Sequence, residues 1–107
     1  MLKKKLGLEA IEEVNWDYSL VYDYYKIPST LTIPESCREI NSRVFWNCYQ
    51  LKKVVIPESV EIIGDGAFYE CSNAEIILKK PMRKFSIGIN AFRYCKSVEY
   101  VKEEVGN

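Results

Sequence analysis

The feature that most constrains how this chain of 107 residues can fold is an internal repeat. The segment IPESCREINSRVFWNC (33–48) returns 23 residues later as IPESVEIIGDGAFYEC (56–71). A third copy follows 24 residues further on, and its Ala91, Phe92 and Cys95 repeat Ala67, Phe68 and Cys71. Self-similarity at a period of about 20 to 50 residues is typical of solenoids, in which each unit buries its apolar face against its neighbours. The repeat therefore predicts stacked coils.

Each unit divides into a strand, a turn and a short second element. In the central unit, positions one, four and six of the stretch 51–56 are apolar, which is the spacing of a short solenoid strand. Pro57 ends that strand because it has no amide hydrogen to donate. The turn Gly64-Asp65-Gly66 follows, and Asp65 is expected to cap a short helix. The residues of the Ala-Phe-x-x-Cys motif then share one helical face, which packs against the strand.

The central unit, LKKVVIPESVEIIGDGAFYEC (51–71), resembles the BspA-like leucine-rich repeat family, whose units read roughly LxxVxIPxSVxxIGxxAFxxC. The resemblance covers about residues 27 to 102. It implies an α/β fold, a right-handed β-α solenoid, and a role in protein interaction or adhesion, often on microbial cell surfaces. We expect one domain, with an N-terminal cap at 1–26, repeats at 27–50, 51–73 and 74–97, and a partial terminal repeat at 98–107.

The N-terminal segment lies outside the repeat. Its first half has the apolar spacing of an amphipathic helix. In residues 16–24, large side chains (four aromatic residues and Leu20) alternate with mostly smaller or polar ones, which is the period of a strand. Because a solenoid needs its open end covered, we interpret this segment as a helix/strand cap. The alternative is that the aromatic row binds a partner.

The residue types argue against catalysis. The chain has no histidine, which removes the side chain most often used for proton transfer near neutral pH and the commonest metal ligand. Cys48, Cys71 and Cys95 occupy the same position in successive units, too far apart for disulfides, and no Cys-x-x-Cys pair suggests a zinc site. We therefore predict buried structural thiols, no cofactor, no metal site and no enzyme activity.

Charge and targeting signals restrict the partners and the location. Fifteen basic and fifteen acidic residues cancel, so no nucleic-acid partner is expected. A basic cluster at 79–84 is interpreted as a solvated rim, with phosphate contact as the alternative. No apolar run is long enough for membrane insertion. The lack of a signal peptide predicts a cytoplasmic protein, whereas a fragment of a longer chain would be a cell-surface or secreted protein.

The outward face of the stacked strands is the predicted binding surface. If each inward residue lies six positions after the cysteine of its unit, as Val54 follows Cys48, then Ile77 and Val101 face inward. The predicted partner-binding row is then Thr30, Thr32, Lys53, Val55, Ile76, Leu78, Tyr100 and Lys102. The rival register, shifted by one residue, buries Ile76 and Leu78 instead.

Three functional hypotheses follow. The first is non-catalytic binding of a protein partner through the strand face, where a rigid apolar strip with a polar rim loses little entropy on docking. The second is structural: the chain is a self-assembling or adhesion-array segment of a larger cell-surface protein, or a homo-oligomer that pairs through an open solenoid end after Val101. The third, an enzyme, has no activated nucleophile, base or metal set to support it.

Overall fold

The computed structural model describes residues 29–103, and these residues form a β-solenoid of about three coils. The strands are β1 (Thr30–Thr32), β2 (Glu39–Ile40), β3 (Lys53–Ile56), β4 (Ile62–Ile63), β5 (Glu75–Leu78), β6 (Ser86–Ile87) and β7 (Ser97–Glu99). Every neighbouring pair is parallel, in one sheet ordered β1-β3-β5-β7 and a second ordered β2-β4-β6. We call residues 30–52, 53–74 and 75–96 the first, second and third coils. The predicted stacking of coils is confirmed.

The predicted short helices are not present in residues 29–103. Each coil instead carries a run of turns where a helix was expected, at 42–47, 65–70 and 89–94, and the single helix described is a 3-10 turn at Met82–Lys84. The solenoid is therefore almost entirely β and turn, rather than the α/β fold that the resemblance implied. The helix/strand cap predicted at 1–26 lies outside the described residues, and the right-handed winding stays a prediction.

Hydrogen bonds between coils explain why no α-helix forms. Alternate amides of the first two turn runs donate to carbonyl oxygens of the next coil: Gly66, Phe68 and Glu70 donate to Ile89, Ala91 and Arg93 over 2.8–2.9 Å. The residues between them donate back to the carbonyl three positions earlier, as Ala67 does to Gly64. An α-helix would need these amides for its own bonds to the fourth preceding carbonyl. Coil-to-coil bonding therefore replaces the helix.

The backbone of the turn runs is left-handed at two positions in every coil. The positive φ angles, 59–67°, occur at Arg43, Asn47, Gly66, Glu70, Asn90 and Tyr94. Each of these residues is the third of a four-residue turn closed by a backbone hydrogen bond, which is the signature of a type II turn. Five of the six are not glycine, at a cost of roughly 1–2 kcal/mol each. The intercoil hydrogen bonds hold them in this conformation.

Gly64 and Gly88 are needed because consecutive coils approach each other closely. A Cβ atom on Gly64 would lie 2.5 Å from the backbone nitrogen of Ser42 and 2.8 Å from its Cα. A Cβ on Gly88 would lie 2.5 Å from the backbone nitrogen of Asp65. Both obstructions are backbone atoms of the preceding coil, which cannot rotate away as a side chain would. The glycines therefore permit the spacing that the intercoil hydrogen bonds require.

The core consists of columns in which equivalent side chains of successive coils touch. The Phe45 and Phe68 rings stack with centroids 5.3 Å apart, and the Phe68 and Phe92 rings with centroids 5.9 Å apart. This column is what the predicted stacking of coils requires, because the three phenylalanines occupy the same position in successive repeats. Ala67, Phe68 and Cys71 are all fully buried, so the predicted inward face is correct although its backbone is not helical. Burial of one such phenylalanine contributes about 1.5–3 kcal/mol.

Replacement of Gly64 by alanine tests this close approach. We expect Gly64→Ala to lower the free energy of unfolding by about 1–3 kcal/mol, because the new methyl group meets the backbone of Ser42. Urea denaturation monitored by circular dichroism measures the change. The control is Glu61→Ala, an exposed position in the same coil, which should stay within about 0.5 kcal/mol of the parent. Equal stability of Gly64→Ala and the parent would contradict the close approach.

Candidate functional site

The outward side of the four-stranded sheet is a regular surface of two side-chain rows. Strand pairing aligns Thr30, Lys53, Glu75 and Ser97 in one row and Thr32, Val55, Ile77 and Glu99 in the other. All eight are exposed or half-buried, whereas the residues between them point into the core. We call these eight residues the strand face.

The structure corrects half of the predicted row. Thr30, Thr32, Lys53 and Val55 lie on the strand face as predicted, but Ile76 and Leu78 are only 0% and 1% exposed. Their outward orientation was therefore wrong, and the rival register, in which they are buried, is the one observed. Tyr100 and Lys102 are exposed but follow the end of β7 at Glu99, so they lie outside the paired rows. Partner contact by the six exposed or half-buried residues of the predicted row stays a prediction.

Unequal corner lengths explain the error in register. The inward Val54 lies six positions after Cys48, but Ile76, which pairs with Val54, lies only five positions after Cys71. After the third coil, Val98 of β7 pairs with Ile76 only three positions after Cys95. Because side chains alternate along a strand, the loss of one residue moves every following side chain to the opposite face.

The third coil also has a longer loop after its strand. Seven residues lead from Ile33 to Ile40 and from Ile56 to Ile63, and nine lead from Leu78 to Ile87. This loop, longer by two residues, holds the 3-10 turn Met82–Lys84 and the buried Phe85. It offsets the short corner that precedes the strand. The cysteine and phenylalanine columns therefore stay in line while the strand between them shifts. Val101, which was predicted to face inward, is 48% exposed.

An apolar pair lies at the centre of the strand face. Val55 and Ile77 pair on the adjacent strands β3 and β5, and both are half-buried. The threonines of β1 and the charged residues of the neighbouring positions surround them. Lys53 lies opposite Glu75 on the neighbouring strand. The Glu75 carboxylate forms an ion pair with the Lys96 ammonium at 3.5 Å. An apolar centre inside a polar rim is the usual composition of a protein-binding patch.

One edge of the strand face carries a surplus of positive charge. A groove of about 470 Å³ beside the strand starts is lined by Lys52, Lys53, Asn73, Glu75 and Lys96. Three ammonium groups thus surround a single carboxylate. The field of this edge favours acidic groups on a bound partner.

Two cations of the predicted basic cluster have structural roles. The Lys80 ammonium donates to the carbonyl oxygens of Glu58 (2.9 Å) and Val60 (2.8 Å) and lies 4.5 Å from the centre of the Phe85 ring. Arg83 makes two 2.7 Å hydrogen bonds to Glu103, and the guanidinium holds the pKa of that carboxyl below its usual range. These contacts already use the Lys80 and Arg83 donors, so they argue against the phosphate-contact alternative to the solvated rim.

Sequence reasoning missed a second surface, on the turn runs. The Trp46 ring stacks on Tyr69 at 4.5 Å between centroids, and Tyr94 meets Tyr69 edge-on at 5.7 Å. With Arg43 and Ile89, the Trp46 and Tyr69 rings border a groove of about 320 Å³. The sequence does contain a signal for this surface: Trp46 and Tyr69 are one repeat period of 23 residues apart, so they occupy the same position in successive coils.

Asp65 was predicted to cap a helix within its own coil. Its carboxylate instead accepts a hydrogen bond from the amide of Ile89, in the next coil, at 2.9 Å. The prediction was wrong because the turn run that follows Asp65 is not helical. The side chain adds one more link between coils.

The cysteines are structural, and they contribute hydrogen bonds that the sequence did not indicate. The Cys71 thiol donates to the carbonyl oxygen of Phe45 at 2.9 Å, and the Cys95 thiol donates to that of Phe68 at 3.2 Å. Burial raises the pKa of Cys71 well above its usual range and that of Cys95 to about 11. Within residues 29–103 no group of three or more histidine, cysteine or acidic residues is arranged to hold a metal ion.

Comparison with known proteins identifies the repeat. Residues 19–104 match the family described as "BspA type Leucine rich repeat region (6 copies)". No curated protein matches the chain, and no solved structure matches it. In the part of the chain that the structure describes, no helix has the length and apolarity needed to cross a bilayer.

The reactivity of the four thiols tests the structural role of the cysteines. At pH 7.5 we expect Ellman's reagent to react slowly with the folded protein, because three thiols are buried and the raised pKa of Cys95 lowers its thiolate fraction on the order of a hundredfold. In guanidinium chloride all four should react at once. Rapid reaction of two or more thiols in the folded protein would contradict the burial of Cys37, Cys48 and Cys71.

Proposed function

This chain belongs to the BspA-type leucine-rich repeat family, and we propose that it is a non-catalytic interaction module that binds a protein partner through the strand face. Leucine-rich repeat families are generally non-catalytic, and their repeats suggest protein interaction. The observation that carries the proposal is the pairing of Val55 with Ile77 at the centre of an otherwise polar sheet surface.

The composition of the strand face suits a partner that docks on its centre. Residues at the middle of an interface lose most of their water, while those at the rim stay hydrated. Val55 and Ile77 supply the part that benefits from losing water. The hydroxyls of Thr30 and Thr32 and the charges of Lys53 and Glu99 are placed to form rim hydrogen bonds and ion pairs.

The rigidity of the sheet supports affinity. Binding costs about 0.5–1.5 kcal/mol for each long side chain that becomes immobilised, and more where backbone segments must order. β3 and β5 are hydrogen-bonded on both sides within the sheet, so they are ordered before a partner arrives. The central side chains, valine and isoleucine, are β-branched and have few rotamers to lose.

Charge narrows the class of partner. The lysine-rich groove at the edge of the strand face, with Lys52, Lys53 and Lys96, favours a protein with acidic side chains beside an apolar patch. Complementary charge of this kind raises the rate of association more than the affinity. We therefore expect partner binding to slow with rising ionic strength.

The chemistry of the described residues supports a role without catalysis. The chain has no histidine. The Cys71 and Cys95 thiols are buried donors of hydrogen bonds, with pKa values raised by burial, so they are poor nucleophiles.

Charge placed at the centre of the strand face tests the proposal. We expect the double variant Val55→Lys/Ile77→Lys to fold normally, because both side chains point away from the core, and to bind the partner at least tenfold more weakly. Affinity capture from the native host, quantified by mass spectrometry, identifies proteins retained by the parent and lost by the variant. Their dissociation constants are then measured with purified components.

The control carries the same change on the other sheet. Ile62 is 41% exposed on β4, so Ile62→Lys adds charge at an apolar surface position away from the strand face. It should retain the partner. A folded double variant that binds every partner as tightly as the parent would rule out the strand face as the site.

A further inference from the structure

The two ends of the described solenoid differ in how well their interior side chains are covered. Leu31, Ile40 and Phe45 of the first coil are at most 2% exposed. Their counterparts at the other end, Ile87, Phe92 and Val98, are only partly buried. Of the six exposed large hydrophobic side chains in residues 29–103, four lie in the stretch 89–101. We call Ile87, Ile89, Phe92, Val98, Tyr100 and Val101 the end face.

β7 forms the edge of the larger sheet at this end. Within the described residues it pairs with β5 on one side only. The Ser97 amide donates toward β5, to the carbonyl oxygen of Ala74. Because alternate residues of a strand direct their amide and carbonyl to opposite sides, those of Val98 point outward. An edge strand with outward donors and acceptors is a template for pairing with another chain.

The usual protections of an edge strand are weak here. No proline occurs in the stretch 96–103. Lys96 pairs with Glu75, within the same sheet. The Glu103 carboxylate is held by Arg83 through two hydrogen bonds. Lys96 and Glu103 are therefore already paired within the chain, so they do little to repel a second strand. Glu99, within β7 itself, would lie opposite the uncharged Ser97 in the register proposed below.

We propose that the end face is a self-association surface, at which two copies of this chain pair through antiparallel β7 strands. Val98 of each copy would lie opposite Val98 of the other, with Ser97 opposite Glu99. This even register keeps the interior side chains of both copies on one side of a continuous eight-stranded sheet, four strands from each copy. The contact is isologous, so it closes as a dimer.

Head-to-tail stacking fits the structure less well. It would require the first coil as the acceptor of the end face, but the interior side chains of that coil are already buried.

End-to-end contact through the turn runs is also disfavoured. The first two coils each donate turn-run amides toward the next coil, as Gly66 does to Ile89, so the turn run of the third coil presents donors alone. Two such ends cannot bond to each other through their turn runs. β7 offers both a donor and an acceptor, which selects strand pairing.

The size of the end face sets the expected strength. A closed coil of about 22 to 24 residues, at about 3.3 Å per extended residue, presents on the order of 500 Å² with its side chains. A pair would bury about 1,000 Å², which is near the lower limit for a specific interface. We therefore expect a dissociation constant in the micromolar range, roughly 1–100 μM.

Sedimentation equilibrium of the purified chain from about 1 to about 300 μM tests the proposal. The expected result is a reversible monomer–dimer equilibrium. Two variants should shift it to monomer by at least tenfold in dissociation constant. Val101→Asp charges the rim beyond the strand, and Val98→Pro removes the amide that points away from β5. Ile62→Asp, the same kind of change on the other sheet, should leave the dimer intact.

A cross-linking measurement checks the register. Residues that form a hydrogen-bonded antiparallel pair have Cα atoms about 5.5 Å apart, within the range of a disulfide. Mild oxidation should therefore link copies of Val98→Cys, and it should not link copies of Ile62→Cys. A strict monomer up to the highest concentration would overturn the proposal. So would a dimer that survives both end-face variants, or one that is equally lost in the Ile62 control.

Discussion

The first two coils of this solenoid each donate alternate backbone amides of their turn run to the coil that follows, and the rest of the structure depends on that exchange. It uses the amides that a helix would need, so the run adopts linked turns with left-handed residues at fixed positions. It also sets the distance between coils, which only glycine tolerates at residues 64 and 88. Because the coils lie in register, the phenylalanine rings stack and the thiols of Cys71 and Cys95 reach carbonyl groups of the preceding coil.

The same exchange accounts for both candidate binding surfaces. Parallel pairing of one strand from each coil produces a sheet whose outward residues line up in rows, and this places Val55 beside Ile77 although 22 positions separate them in the chain. An exchange that runs from each coil to the next also leaves a last coil whose outward groups are not used within the described residues. The strand face is formed by the ordered interior of the array, and the end face is formed by the last described coil.

Much of the fold was predictable from the residues. The repeat predicted the stacking, and the Ala-Phe-x-x-Cys motif predicted which side chains are buried, because any coil that packs on a neighbour must bury its apolar positions. The strand register of the first two coils was also predictable, since the Ile-Pro-Glu-Ser motif follows both strands at the same distance. The third strand was not. Its preceding corner is shorter by one residue and its following loop longer by two, and an alignment of cysteine and phenylalanine alone shows only the net effect of these changes.

The sequence by itself determined that the chain forms coils, which residues fill the shared interior of the first two, and that histidine chemistry is absent, because these follow from residue type and period alone. Tertiary structure decided the turn conformation, the burial of Ile76 and Leu78, and the pairing of Lys80 and Arg83. Each of these depends on contacts between residues about 20 or more positions apart. Local residue preferences do not encode such contacts, and they appear only when one coil lies against the next.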